Sequence, residues 1–334
     1  MRTLLSVIIV SYNTKKETKQ TLESVVAEVA RSANLQKKTE ILVVDNASSD
    51  GSIEMLTTFK KNNTLPITLI KNEKNVGFGV ANNQALEKST AKYVVFLNSD
   101  TIVQPGGLSK VIHSFESVKN PEVTSELDSY GDTLDRIGII APTLLNSDGS
   151  IQPQGGSTPT LATLLVHMFF LDDIPFIGSF LPSTQHTGKS NYHSQLQEKD
   201  TTLMPIDWVG GTALFARTDM LDEIGPFDKN IFMYGEDIEL CMRAKKHHWD
   251  VAIHTEAQVT HLQNASSSSK NAIVGELTGY KYLWSKHKPL WQLDFALFLL
   301  SVGALLRYVL YDVFIPDSHK ASAYKEALRR VRTK

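Results

Sequence analysis

The sequence predicts an α/β fold, a mostly parallel sheet flanked by helices, with an amphipathic helical segment at the C-terminal end. Three observations carry this. Short apolar runs alternate with helical periodicity through the first part of the chain. The polar residues there gather where the apolar runs stop, at the expected carboxyl ends of parallel strands, where such sheets bind ligands. Between Leu290 and Ile315 an apolar stretch leads into a basic tail.

The elements follow in order. Leu5–Val10 is a continuous apolar run, as in a strand buried on both faces, and it lacks the small-residue cleavage pattern of a signal peptide. Thr14 and Glu17 have capping-box spacing, and Leu22, Val25, Val26 and Val29 repeat at helical spacing. Ile41–Val44 is a second strand, ending in Asp45, Asn46 and a Ser-Ser-Asp-Gly turn. A helix over Ile53–Phe59, a strand over Ile67–Ile70, a helix over Phe78–Glu87 and a strand over Tyr93–Leu97 complete the alternation. Pro105 is expected to open a helix. Glu122–Asp135 is polar and acidic and predicts a loop or surface insertion. Ile137–Ile140 and Thr143–Leu145 resume strand character, with Ser147-Asp148-Gly149 as a hairpin turn. Periodicity then fades over 152–202 around the apolar run Leu161–Leu171, which fits a mobile acceptor loop or a membrane-facing hairpin. Regular structure returns from Asp207 to about His261.

Composition narrows the function classes. Of 334 residues, 42% are hydrophobic and 21% charged, which excludes disorder and a polytopic membrane protein. Lys plus Arg is 34 and Asp plus Glu is 36, so the net charge is 34 − 36 = −2, without the basic excess of a duplex binder. The lone cysteine, Cys241, excludes an intrachain disulfide and paired-thiolate zinc, and favours a reducing, intracellular setting. Asp294, Arg307 and Asp312 interrupt the apolar C-terminal stretch, leaving its uncharged part short for a membrane span. The tail after Pro316 carries Lys320, Lys325, Arg329, Arg330, Arg332 and Lys334. Together these predict a helix lying on the anionic inner face of a cell membrane. The alternative is a helix packed on the protein's own core.

Four motifs then fall in order: VIIVSYN with VVDNASSDGS, NVGFGVANNQAL, FLNSD, and DWVGGTALFAR with FMYGEDIELCMRA and VTHLQNAS. Their order and spacing over Leu4–Ser268 resemble glycosyltransferase family two, of the GT-A fold, in its rhamnosyltransferase-like branch. The resemblance implies a catalytic domain over 1–268, with 151–205 as an acceptor- or membrane-proximal loop region. A helical, membrane-associating basic segment follows over 269–334. It implies a metal-dependent, inverting transfer of a sugar, plausibly L-rhamnose from dTDP-rhamnose. The acceptor is a hydroxyl of a saccharide or lipid-linked saccharide, in cell-surface polysaccharide synthesis. A UDP-hexose or N-acetylhexosamine donor is the alternative within enzymes. A non-catalytic sugar-nucleotide-binding membrane scaffold is the alternative outside them. Homo-oligomerisation stays open.

The same resemblance assigns residues. Ser11, Tyr12 and Asn13 line the nucleotide cleft, and Asp45 accepts the N3–H of uracil or thymine, unless it caps the next helix. Gly77, Phe78 and Gly79 border the ribose, with core packing as the alternative for Phe78. Asn83 lies near base and phosphates. Asn98-Ser99-Asp100 stands where the family has Asp-x-Asp, with Asn98 and Ser99 toward the nucleotide sugar and Asp100 binding Mg2+ or Mn2+ through hard oxygen. A plain strand-end turn fits the same residues. Asp237 is the expected base and Glu236 an acceptor-binding or orienting residue, against a helix-dipole role for both. His261 is a metal or diphosphate ligand, or structural. Ser266–Ser269 is a possible flap over the diphosphate. Trp208, Gly210 and Gly211 form the acceptor wall, through indole stacking on sugar C–H faces, or Trp208 belongs to the core. Cys241 has a packing role.

Overall fold

A computed structural model of the chain describes residues 3–117, 136–174, 176, 178–185, 202–263 and 269–333. The acidic stretch Glu122–Asp135 and serines 266–268 lie outside the described residues.

The first part alternates β1 (Leu5–Ser11), α1 (Lys15–Arg31), β2 (Thr39–Asp45), α2 (Ser52–Lys61), β3 (Ile67–Lys71), α3 (Phe78–Leu86) and β4 (Tyr93–Asn98). The centres of β1, β2 and β4 are apolar on both faces because helices cover both faces of the sheet. Ile8, Leu42, Val44 and Phe96 join one buried cluster, and Val7, Ile9, Ile41, Val43 and Leu97 the other, in the two-residue alternation of a strand. Next come β5 (Thr101–Val103), α4 (Ser109–Ser117), β6 (Ile137–Leu145), β7 (Ile151–Gln152), α5 (Leu161–Met168), β8 (Leu203–Pro205) and β9 (Ala213–Arg217). The chain continues through α6 (Thr218–Ile224), α7 (Glu236–Lys246) and β10 (Asp250–His261). It ends in α8 (Ser269–His287), α9 (Leu290–Val309), a π-helical turn over Leu310–Phe314 and α10 (Ser318–Arg332).

The ten strands form one sheet in the order β3-β2-β1-β4-β9-β6-β10-β5, with β7 on β6 and β8 on β10. It is parallel across β3, β2, β1 and β4. It turns antiparallel where β9 pairs with β4 and β6. Two registers set up the site. Ser11 lies opposite Asp45 and Val10 opposite Asn98, so the carboxyl ends of β1, β2 and β4 are level. Antiparallel pairing of His261 with Thr101 then brings the end of β10 back beside Asp100.

Three local expectations are corrected. Thr14 is the residue before α1, but its side chain makes no capping bond. Its hydroxyl instead joins a buried cluster with Thr18 at 2.9 Å and Ser99 at 3.0 Å. Pro105 opens no helix; α4 starts at Ser109, because the buried Glu28 carboxylate accepts from the Gly106 amide at 3.0 Å and holds 105–108 as a turn. The two strands expected around Pro142 are one, β6, and a register shift in β10 between His254 and Gln258 absorbs the irregularity.

The C-terminal helix packs on the protein's own core along one face and leaves the other exposed. Ala296, Leu300 and Ala304 are buried in the same cluster as Ile238 and Leu240 of α7. Gly303 sits so tightly on α5 that a Cβ there would come within 2.4 Å of the Met168 methyl carbon. The opposite face exposes Trp291 (59%), Phe298 (63%) and Phe314 (73%). By length and composition Leu290–Phe314 suffices to cross a membrane, more than its interrupting charges predict, but about a third of it is buried inside the protein.

Candidate active site

A cavity of about 650 Å³ opens at the carboxyl ends of β1 and β4. Ten sequence-predicted residues line it. Tyr12, Phe78, Asn98, Ser99, Asp100 and His261 lie on the sheet side, and Trp208, Gly211, Glu236 and Asp237 on the other. Ser11, Asn13, Asp45, Gly77, Gly79, Asn83 and Gly210 do not line it.

The carboxylate pair is placed by strained backbone. Tyr234 and Gly235 both have positive φ, +70° and +99°, which turns the chain sharply into α7. The turn is pressed against α8, where a Cβ on Gly279 would meet the Tyr234 carbonyl oxygen at 2.6 Å. Asp237 follows with both oxygens fixed. Oδ2 accepts from the Gly211 amide at 2.9 Å, and Oδ1 from the Ile238 amide at 2.8 Å. Gly210 stands just behind, its Cβ direction 3.9 Å from Asp237 Oδ2. Burial raises the Asp237 pKa above the ordinary carboxylate value, opposed by those two amides. Glu236 is 5% exposed, and its Oε2 has no hydrogen-bond partner among the described residues. Burial first, and the Asp237 charge second, push its pKa up strongly. The pair therefore differs in kind: Asp237 is held ready to carry charge and Glu236 to keep its proton.

Across the cavity, Asp100 is 2% exposed and its Oδ1 makes no hydrogen bond among the described residues. His261 Nε2 lies 3.4 Å from that oxygen, while its Nδ1 is 3.2 Å from Gln152 Nε2. No cluster of three or more metal-ligating side chains exists among the described residues. An orphaned carboxylate oxygen beside one imidazole fits a hard cation that takes its remaining oxygens from a substrate diphosphate, as magnesium-type sites do.

Several donor-side expectations are corrected. Ser11 is wholly buried, and its hydroxyl is turned to Thr18 at 3.0 Å. Asn13 shapes a loop, its Oδ1 accepting from the Ser49 amide at 2.8 Å. Asn83 latches the segment before α7: its Nδ2 donates to the Phe227 carbonyl at 2.8 Å and its Oδ1 accepts from the Phe227 amide at 3.1 Å. Gly77 and Gly79 are small for protein rather than for ligand. A Cβ at Gly77 would meet the Phe232 carbonyl oxygen at 2.4 Å, and one at Gly79 the Phe227 Cβ at 3.1 Å. Ser99 lines the cavity, but its hydroxyl accepts from Thr14. Phe78 faces the cavity and also packs edge-on against Phe227. Asp45 is 1% exposed; Oδ2 accepts from the Ser48 amide at 3.2 Å, and Oδ1 has no partner among the described residues. Trp208 is 7% exposed and fixed by its Nε1 donating to the Thr184 carbonyl at 2.9 Å.

Other lining residues have no role assigned from the motifs. Asn46 and Asn75 join Asn72 and Gln84 in an amide network below the cavity. Gln185, Glu276 and Tyr280 form the wall beyond Trp208. The last two lie on α8, one turn apart on one face, and that spacing beside Gly275 and Gly279 is the signal that could have found them.

Comparison with known proteins agrees with this geometry. Residues 6–137 match the family model for glycosyl transferase family 2. The chain is 24% identical over 306 residues to the N-acetylglucosaminyl-diphospho-decaprenol L-rhamnosyltransferase of Mycobacterium tuberculosis, covering 87% of this chain and 88% of that one. Two solved structures share the fold at 14% identity. GalNAc-T7 with UDP, GalNAc and Mn2+ has a TM-score of 0.59 over 99% of this chain and 56% of its own. The mannosyltransferase PcManGT from Pyrobaculum calidifontis, with GDP-Man and Mn2+, has 0.52 over 99% and 87%. Over residues 6–137 the chain thus resembles glycosyl transferase family 2, on a GT-A fold, and along most of its length it is similar to a rhamnosyltransferase.

Proposed function

We propose that the protein is an inverting glycosyltransferase. It moves L-rhamnose from dTDP-rhamnose to a hydroxyl of a lipid-linked saccharide, in cell-surface polysaccharide synthesis. The observation that carries this is one cavity holding Asp237, fixed by two amides, opposite the orphaned Asp100 oxygen and His261. The likeness to an L-rhamnosyltransferase along most of both chains supports the sugar and the lipid-linked acceptor.

In this reading Asp237 takes the proton of the acceptor hydroxyl as that oxygen attacks the anomeric carbon. The bond to the nucleoside diphosphate breaks from the opposite face. Glu236, kept protonated by burial, orients the acceptor. Asp45 Oδ1 takes the imino N–H of thymine. Asp100 and His261, with Asn98 beside them, would hold Mg2+ or Mn2+, which would supply positive charge to the diphosphate leaving group, so that no general acid would be needed. The exposed aromatic face of α9 and the basic helix α10 rest on the inner surface of the membrane that holds the acceptor. Asp45 accepts from uracil as readily as from thymine, so a UDP-sugar donor is the second reading.

The test is direct. Purified protein with dTDP-rhamnose, an N-acetylglucosaminyl diphosphate lipid and Mg2+ or Mn2+ releases dTDP, forms a product of inverted anomeric configuration, and stops on chelation. Turnover with UDP-sugars alone selects the second reading. No turnover with any nucleotide sugar leaves a sugar-nucleotide-binding scaffold.

A further inference from the structure

We infer that Glu276, Tyr280 and Gln185 form the subsite for an uncharged, hydroxyl-rich ring of the acceptor. This inference rests on the transfer reading above and names where the acceptor binds. Ala272, Glu276 and Tyr280 follow one another at four-residue steps along one face of α8, and all three line the cavity that holds Asp237. Tyr280 is 1% exposed, and its hydroxyl lies near Thr184 and Gln185 but makes no hydrogen bond of good geometry among the described residues. Burial pushes the phenol pKa up, so the hydroxyl stays a donor. Glu236 Oε2 is a second buried, unpartnered polar atom on the same wall. Buried groups of this kind are costly unless a ligand completes them.

Glu276 is reachable and fixed. Its side chain is 28% exposed, and its Oε1 accepts from Gln185 Nε2 at 2.9 Å, with His167 Nε2 at 3.1 Å. His167 also faces Asp172, and its positive charge is spent between the two carboxylates. Trp208 supplies an apolar wall for sugar C–H groups. No lysine or arginine lines the cavity among the described residues, whereas the carboxylates of Asp237 and Glu276 both do. The subsite therefore offers hydrogen bonds to hydroxyl and amide groups and repels a carboxylate. It selects a neutral hexose or N-acetylhexosamine ring over a uronate by exclusion as much as by attraction.

The test uses the full chain with saturating dTDP-rhamnose and two synthetic diphosphate lipids, one bearing N-acetylglucosamine and one glucuronate. Tyr280→Phe and Glu276→Gln are each expected to raise the KM for the neutral acceptor roughly tenfold, the weight of one hydrogen bond to a charged or buried group. The rise in melting temperature produced by dTDP stays at the wild-type value. Glu276→Gln is also expected to narrow the preference for the neutral acceptor over the uronate by roughly tenfold, which a loss of packing alone does not do. If Tyr280→Phe fails to fold, the partly exposed Glu276→Gln decides. Transfer proceeding with acceptor KM and preference within about twofold of wild type in Glu276→Gln overturns the subsite and leaves the transfer reading standing. A wild-type protein that transfers no sugar to either lipid from any nucleotide sugar overturns both.

Discussion

The two sides of the cavity treat their polar groups differently. On the sheet side, Ser11, Thr14, Thr18 and Ser99 bond to one another, and so do Asn46, Asn72, Asn75 and Gln84. On the far side, Glu236 Oε2 and Tyr280 OH are buried with no hydrogen bond among the described residues. Satisfied networks stiffen a surface and give it one shape, while unsatisfied buried groups hold free energy that only a ligand releases. The first side therefore works as a mould, and the second holds the groups left to react with or grip a ligand. Asp45 and Asp100 are the exceptions on the sheet side, each with one orphaned oxygen, at the places proposed for the base and for the cation.

Substitutions that break this contrast are ranked by their expected effect. Asp237→Asn should lower the rate of sugar transfer roughly 10³-fold with the fold intact, measured by single-turnover transfer and circular dichroism. Asp100→Ala should cost roughly 10²-fold and remove the dependence on added divalent cation, read from activity against metal concentration. His167 tests the acceptor side by pH. Its burial lowers its pKa, but hydrogen bonds to Asp172 and Glu276 outweigh that and raise it to about 9. A raised folded pKa means a stabilising contribution complete below the ordinary 6.5 and lost as pH rises through about 9. The melting temperature should fall across that window, and His167→Gln should flatten the fall. Asn83→Ala tests the sheet side. It should destabilise by about 2 kcal/mol through loss of the Phe227 latch, with the donor KM near wild type, by urea unfolding and steady-state kinetics. The smallest effect belongs to Cys241, whose thiol burial pushes up to about 12. It should resist iodoacetamide at neutral pH, and Cys241→Ala should cost about 1 kcal/mol of stability and no activity.

The donor side was legible because its information is local. Each apolar run ends at the residue that matters, and parallel register makes those ends level without further instruction, as with Val10 and Asn98. What local patterns missed is which end-of-strand groups face protein. Asn83 and Gly77 sit in a motif, but what they meet is Phe227 and Phe232, about 150 residues later in the chain. The acceptor wall was hidden for the same reason on a larger scale. Glu276 and Tyr280 belong to a helix that reads as ordinary amphipathic sequence, and only the crossing of α8 over the Tyr234–Gly235 turn turns that face into part of a cavity. The C-terminal helix asked for a choice between membrane and core; the structure shows the core contact on one face of α9 and leaves the other face exposed.

The contact between Gly279 and the Tyr234 carbonyl has a consequence for anyone recombining this chain with a relative. At 2.6 Å for a hypothetical methyl, no other residue fits at that position without moving the turn that aims Asp237. The last helices and the base loop therefore form one inheritable unit. A chimaera joined between Gly235 and Gly279 exchanges acceptor preference only if both sides of that contact travel together, and a join that separates them loses turnover before it changes specificity.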